Sequence, residues 1–251
     1  MASNDISLLE TQGVSISFGG VQAVNGVSIR VAAGERRVVI GPNGAGKSTL
    51  FNLIGGQLRP QQGSVRLFGA DVSSFPDWRR ARLGLMRTFQ ISRLFRAMTV
   101  WDNAMIAAYG CHGLSLQSLR PADSDTVLTN EVTGLLDDWD LLGLSQYTVQ
   151  NIGHGHQRLL EIALAFASYP KVVLLDEPTA GLSEGDRDMV TRRLSRLPRE
   201  LTLILTDHDM DVVFNLADRI TVLNYGEVLT EGDPETIRKD ERVRDVYFGQ
   251  V

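Results

Sequence analysis

The sequence predicts an α/β fold: a core of parallel strands alternating with helices, interrupted by a helical insertion. Three observations carry that prediction. "VVIGPNGAGKSTL" sets a glycine-rich turn between an apolar run and a helical one. "KVVLLDE" and "TLILTD" are short apolar runs of the kind buried on both faces of a parallel sheet. Between these regions, apolar residues recur at helical spacing.

Taken in order, the chain to about Gln90 is rich in strands. "GVSISF", "VSIRV" and "RRVVI" alternate or run apolar, and a helix starts from about Gly46. From Ile91 the pattern turns helical in "VWDNAMIAAY" and "EVTGLLDDWDLLGL", with "GCHGLSLQSLRPADSD" between them as a polar loop. Strand–helix alternation then returns with the two apolar runs. "RITVLNYGEVLTEG" reads as a late hairpin and "ERVRDVYFG" as a short terminal helix. There is no internal repeat and no low-complexity tract. Residues 1–251 read as one domain: a strand-rich core over 1–90, a helical part over 91–160, and the rest of the core with the terminal helix over 161–251.

A chain of 251 residues can bury a sizeable core. Its 43% hydrophobic and 22% charged residues are ordinary for a soluble globular protein. The formal charge of −5 provides no basic field, so a nucleic-acid partner is not expected. The single cysteine, Cys111, fits a reducing compartment. No window approaches the ~18 apolar residues of a membrane span. The start, "MASNDISLLE", has neither the positive nor the apolar region of a secretion signal. Any work at a membrane has to be done through a partner.

Gly41-x-x-x-x-Gly46-Lys47-Ser48 has the spacing of a phosphate-binding loop, and it lies between a strand and a helix as that motif requires. Its glycines let backbone N–H groups close on phosphate oxygens, and the helix N-terminus adds partial positive charge. The nucleotide contacts expected are Asn43, Gly44, Ala45, Gly46, Lys47, Ser48 and Thr49. Lys47 bridges the β- and γ-phosphates, and the Ser48 hydroxyl is a ligand for Mg²⁺. Asp176 ends an apolar strand, where ligands bind in such sheets, and suits outer-sphere contact with the same Mg²⁺. Glu177 follows directly and can face the water that attacks the γ-phosphate.

With these two motifs the chain resembles the nucleotide-binding subunit of ATP-binding-cassette (ABC) transporters, over nearly its full length and with the motifs in the family's order. The resemblance implies a P-loop ATPase core with an N-terminal antiparallel β-subdomain and an inserted α-helical subdomain. It also implies ATP and Mg²⁺ as the bound species. "RTFQ" looks like the segment in which Gln90 senses the γ-phosphate, contacts the metal and couples to the membrane subunits. "ILTDHDMDVV" looks like the switch that directs His208 at the γ-phosphate, and Phe18 stands where the family stacks a ring on adenine.

"IGHGHQR" sits where the family carries its LSGGQ signature, a loop that meets the ATP of a second subunit. Gly153 replaces the serine, His154 the first glycine and His156 the glutamine, while Gly155 is kept. Gly153 and Gly155 are therefore the expected contacts, acting through backbone donors at a helix N-terminus. A zinc site would need about four ligands, and the other histidines are only His112 and His208. Ser183 stands where the family's D-loop usually ends in aspartate.

Within the family, "FGGVQAVNGVS", "GLMRTFQISRLFRAMTVWDNAMIAA", "RLLEIALAF", "DEPTAGLS" and "VYFGQ" look like the ATPases of branched-chain amino acid importers. Urea or amide importers and lipopolysaccharide-type exporters share much of this pattern. The resemblance implies a second ABC ATPase subunit, identical or a paralogue, together with membrane permease subunits and, indirectly, a solute-binding protein. It implies a peripheral position on the cytoplasmic face of the inner membrane. "RLFRAMTVWDN", from Arg93 to Asn103, suits a groove for a permease's coupling helix. A small-molecule P-loop kinase would lack a signature-like loop ahead of the second strand motif. A soluble ABC ATPase acting on DNA or ribosomes would commonly carry two cassettes or a long coiled coil.

Overall fold

The computed structural model describes residues 7–88, 94–111 and 126–248. In chain order the strands are β1 (Ser7–Phe18), β2 (Val21–Ala32), β3 (Arg36–Ile40), β4 (Gln62–Leu67), β5 (Ala70–Asp71), β6 (Leu85–Arg87), β7 (Val172–Asp176), β8 (Thr202–Thr206), β9 (Arg219–Asn224) and β10 (Glu227–Gly232). The α-helices are α1 (Lys47–Gly55), α2 (Asp77–Arg82), α3 (Val100–Cys111), α4 (Thr126–Asp138), α5 (His154–Phe166), α6 (Glu184–Ser195), α7 (Met210–Leu216), α8 (Pro234–Lys239) and α9 (Glu241–Phe248). They fall into two compact units. One comprises Met1–Arg87, Lys171–Glu177 and Leu197–Val251; the other comprises Thr88–Pro170 and Pro178–Arg196.

The first unit holds both sheets. One is antiparallel, in the order β2-β1-β4-β5, and the other runs β10-β9-β3-β8-β7-β6. In the second sheet β9, β3, β8, β7 and β6 are parallel, and β10 returns antiparallel as the expected hairpin. Every residue of β3, β7 and β8 is buried, which is why their central residues, Val38–Ile40, Val172–Leu175 and Leu203–Leu205, run apolar without alternation. Arg36 and Arg37 are buried with them. Arg37 is held by Glu35 and Glu231, each at 2.6 Å, and the Arg36 guanidinium donates to the Leu197 carbonyl. Val14, Val24, Val39, Leu50, Phe51, Leu67 and Leu174 belong to one continuous core.

The second unit is helical, built from α3 to α6. Two expectations about its elements are corrected. "EVTGLLDDWDLLGL" is not one helix, because α4 stops at Asp138. Asp140 takes a left-handed conformation (φ 56), the Leu141 N–H donates to the Leu136 carbonyl at 2.7 Å, and the Asp140 N–H donates to Asp137 at 3.0 Å. This closing motif turns the chain so that Trp139 and Leu141 are buried, with the Trp139 ring 4.9 Å from that of Phe166. The polar loop also begins later than expected, since Gly110 and Cys111 are still helical; the part from His112 to Asp125 lies outside the described residues. At the start of α3, Thr99 and Asp102 exchange hydrogen bonds as a capping box. Helix α5 runs unbroken through residue 160, so the helical unit takes in all of it and also α6.

Candidate functional site

In the first unit β3 delivers the chain into the glycine-rich loop, and α1 begins at Lys47. Its N-cap, Gly46, has φ 99 and no side-chain cap, so the first amides of α1 have no capping side chain. A Cβ at Gly46 would run into the Ala23 carbonyl. The turn between β9 and β10 braces the loop: the Gly226 N–H donates to the Ala45 carbonyl at 3.1 Å, and the Asn25 N–H donates to Gly226 at 2.8 Å. Asn43, Gly44 and Ser48 are exposed, Gly46 and Thr49 are half-buried, and Ala45 is buried.

Lys47 is only 7% exposed, and its Nζ donates to the carbonyls of Gly41 (2.6 Å) and Pro42 (3.0 Å). Burial holds its pKa below the ordinary lysine value, opposed by the charges of Glu177 and Asp176.

Asp176, at the end of β7, is 2% exposed. The Thr206 hydroxyl donates to its Oδ1 at 2.8 Å, and Arg87 donates to its Oδ2 at 3.0 Å. Glu177 has φ 47, a left-handed conformation that costs a non-glycine residue about 1–3 kcal/mol. Its N–H is held by the Thr206 carbonyl and hydroxyl, both at 3.1 Å. Glu177 Oε1 lies 2.5 Å from His208 Nε2, and the His208 side chain is 46% exposed. The strand ends of β7 and β8 thus bring together three of the residues singled out from sequence: Asp176, Glu177 and His208.

Two residues of this cluster were missed in the sequence, Thr206 and Arg87. Thr206 is the polar end of "TLILT", a signal that was available. Arg87 ends the short strand "LMR", and its partner Asp176 is 89 residues away. Its other amino group donates to Asn52 (2.7 Å) and Gln57 (3.0 Å), while its buried Nε has no partner among the described residues. Burial pulls its pKa down, against the pull of Asp176.

Phe18 closes β1 and is 49% exposed, so it is not a core residue. Gln90 lies outside the described residues. The hydroxyl of Ser48 and the carboxylate of Asp176 are hard oxygen donors of the kind Mg²⁺ takes, and they fit that ion. Among the described residues no group of three or more His, Cys, Asp or Glu could hold a metal by itself, and no helix is long and apolar enough to cross a membrane.

In the helical unit, Gly153 is the exposed N-cap of α5, with no side-chain cap. Gly155 is buried. A Cβ there would collide with Asp186 Oδ1 and lie 2.6 Å from Met189 Cε, so closeness to α6 already requires a glycine. Ser183 is the N-cap of α6: it accepts from the Asp186 N–H at 3.3 Å and donates to the Asp186 carboxylate at 2.8 Å. Asn103 pins the preceding segment through Phe95 and Thr99, leaving Phe95 and Met98 exposed.

Residues 24–180 match the family model described as ABC transporter. The chain belongs to the ABC transporter family. Residues 227–251 of this ABC chain also match a model described as branched-chain amino acid ATP-binding cassette transporter. The chain is 35% identical to the high-affinity branched-chain amino acid transport ATP-binding protein BraF of Pseudomonas aeruginosa, covering 97% of this chain and 98% of the relative. It is 37% identical to LivG of Salmonella typhimurium, with the same coverage. Among solved structures, the ADP conformation of an ATP-binding cassette of an ABC transporter superposes with a TM-score of 0.86 at 28% identity, covering 97% of this chain and 99% of that one. A nucleotide-free cassette gives 0.85 at 26% identity, covering 97% and 100%. The fold is that of an ABC ATPase: an α/β P-loop core, an antiparallel β-subdomain and a helical subdomain.

Proposed function

We propose that the chain is the ATP-hydrolysing subunit of an importer for branched-chain amino acids. It works as one half of an ATPase dimer, with a second copy or a paralogue, on the cytoplasmic face of the inner membrane. Permease subunits carry the solute, a solute-binding protein delivers it, and no nucleic acid takes part. The observation that carries this reading is the match of residues 227–251 to the branched-chain model, joined to relatives named for that transport. It favours this solute class over a urea or amide importer or a lipopolysaccharide-type exporter.

In this reading Phe18 stacks on adenine. Asn43, Gly44, Ala45, Gly46 and Thr49 surround the phosphates, and Lys47 leaves the Gly41 carbonyl to take the β- and γ-phosphates. Ser48, Gln90 and Asp176 would hold Mg²⁺, which supplies charge neutralisation at the phosphate oxygens. Glu177 exchanges its contact with His208 for the attacking water and accepts its proton, while His208 turns to the γ-phosphate. Gly153 and Gly155 present the start of α5 to the ATP of the partner subunit. Phe95 and Met98, both exposed, are the apolar part of the surface offered to the permease.

The test is leucine uptake and ATP turnover by the complex rebuilt with its permeases in vesicles. Glu177→Gln should keep nucleotide binding and stop both. Normal hydrolysis in that variant removes Glu177 from its role. Turnover coupled to another solute but not to branched-chain amino acids overturns the solute class.

A further inference from the structure

The pairing of Arg87 with Asp176 is one of the most enclosed ion pairs of the first unit among the described residues. The two side chains are 10% and 2% exposed, and the guanidinium meets Asp176 Oδ2 at 3.0 Å. Asp176 Oδ1 is engaged by Thr206 at 2.8 Å, so neither carboxylate oxygen is without a donor. Arg87 is itself anchored through its other amino group on Asn52 and Gln57. A buried carboxylate facing a fixed guanidinium is a poorer ligand for a cation than a bare one, because the arriving ion meets a like charge at close range in a low-dielectric setting.

We propose that Arg87 is a positioning residue of the cation site: it is the resident counter-ion of Asp176, and it sets the Mg²⁺ concentration at which the site fills. The inference rests on the reading of Asp176 as the carboxylate of the Mg²⁺ site. Two consequences follow from the charges. Without a divalent cation, Arg87 keeps the buried Asp176 carboxylate compensated, so no unpaired charge is left in the interior. When the cation arrives, the carboxylate is shared rather than surrendered. Asn52 and Gln57 still hold the guanidinium, so it does not have to leave the site. The price is a raised requirement for Mg²⁺.

The experiment is a titration of free Mg²⁺ at fixed, saturating ATP, read as the rise in Tm of the full chain. Arg87→Met should melt lower than wild type without nucleotide, yet reach half of its Mg²⁺-dependent rise at a concentration on the order of tenfold lower. Arg87→Lys keeps the charge but shortens the reach and loses the fork, so it should shift in the same direction by only a few-fold. A half-saturating concentration equal to or above that of wild type overturns the proposal and leaves Arg87 as a brace alone. If Arg87→Met does not fold, Arg87→Lys decides by the same reading. Asp176→Asn separates the two layers. If it leaves the Mg²⁺ dependence unchanged, the assignment of Asp176 to the cation fails; if it weakens that dependence while the arginine variants do not move it, only the role of Arg87 fails.

Discussion

Gly155→Ala adds a single methyl group, and the structure fixes the sign of its effect. In a helix this exchange normally stabilises, by up to about 1 kcal/mol. Here the new Cβ would strike Asp186 Oδ1, with Asp186 Cγ at 2.7 Å and Met189 Cε at 2.6 Å. Overpacking of this kind costs about 1–3 kcal/mol. Asp186 cannot give way freely, because its carboxylate receives the Ser183 hydroxyl and its N–H reaches the same oxygen. Displacing it weakens the N-cap of α6, worth about 1 kcal/mol. The losses exceed the gain, so Gly155→Ala should be destabilised by roughly 1–3 kcal/mol. Gly153→Ala is the control: its new Cβ would meet only His156 Nδ1 at 3.7 Å, so it should lose no more than the difference between glycine and alanine at an N-cap, up to about 1 kcal/mol. Urea denaturation of both variants measures the difference. A Gly155→Ala protein as stable as wild type, or more so, would refute the packing account. A Gly155→Asp variant meets the same obstacle. Its carboxylate would be set against Asp186 within one subunit, so lost turnover would not by itself report a contact with the partner's ATP.

Lys47→Ala should abolish hydrolysis and weaken ATP binding, with about 2.7–4 kcal/mol lost from transition-state stabilisation; turnover within a few-fold of wild type would sink the assignment. Phe18→Ala should weaken ATP binding by about 1–3 kcal/mol, while Phe18→Tyr is tolerated. Because the Phe18 ring is half-exposed, the alanine variant should keep its stability; a large loss of stability with unchanged ATP affinity would make the ring structural. Burial pushes the Tyr247 hydroxyl up to about 12, partly opposed by a backbone hydrogen bond from Gly41. A raised pKa gives stability that is complete below about 10, the unfolded value, and is lost as pH rises through about 12. Denaturation across that range should therefore show a loss that Tyr247→Phe lacks, and identical profiles would contradict it.

Much of the core was legible because each signal was local. "RRVVI", "KVVLLDE" and "TLILTD" became buried parallel strands because β-type apolar runs have few other places to go. The loop from Gly41 to Ser48 was readable from spacing, and the β9–β10 hairpin from the run "RITVLNYGEVLTEG". What escaped depended on partners far along the chain. Arg87 looked like a strand-end charge until β6 paired with β7 and brought Asp176 to it. Gly155 read as a phosphate contact, and its packing against α6 lies in no local pattern. The run through Trp139 kept helical spacing although the chain leaves the helix, because Trp139 and Leu141 stay apolar for burial rather than for periodicity. Glu177 and His208 were assigned separate tasks; that they touch followed only from the pairing of β7 with β8.

The brace from the β9–β10 turn bears on how such proteins can be cut and recombined. The stretch that matches the branched-chain model starts at Glu227, one residue after the glycine that holds the Ala45 carbonyl. A chimaera that exchanges only the matched stretch would keep Gly226 but replace Glu227, whose carboxylate receives the Asn25 side chain at 2.6 Å. The donor tail would then meet a foreign β2, and the misfit would be passed to the phosphate loop rather than stay at the C-terminus. A workable graft boundary lies before Arg219, so that the hairpin travels whole, with Asn25 exchanged alongside it.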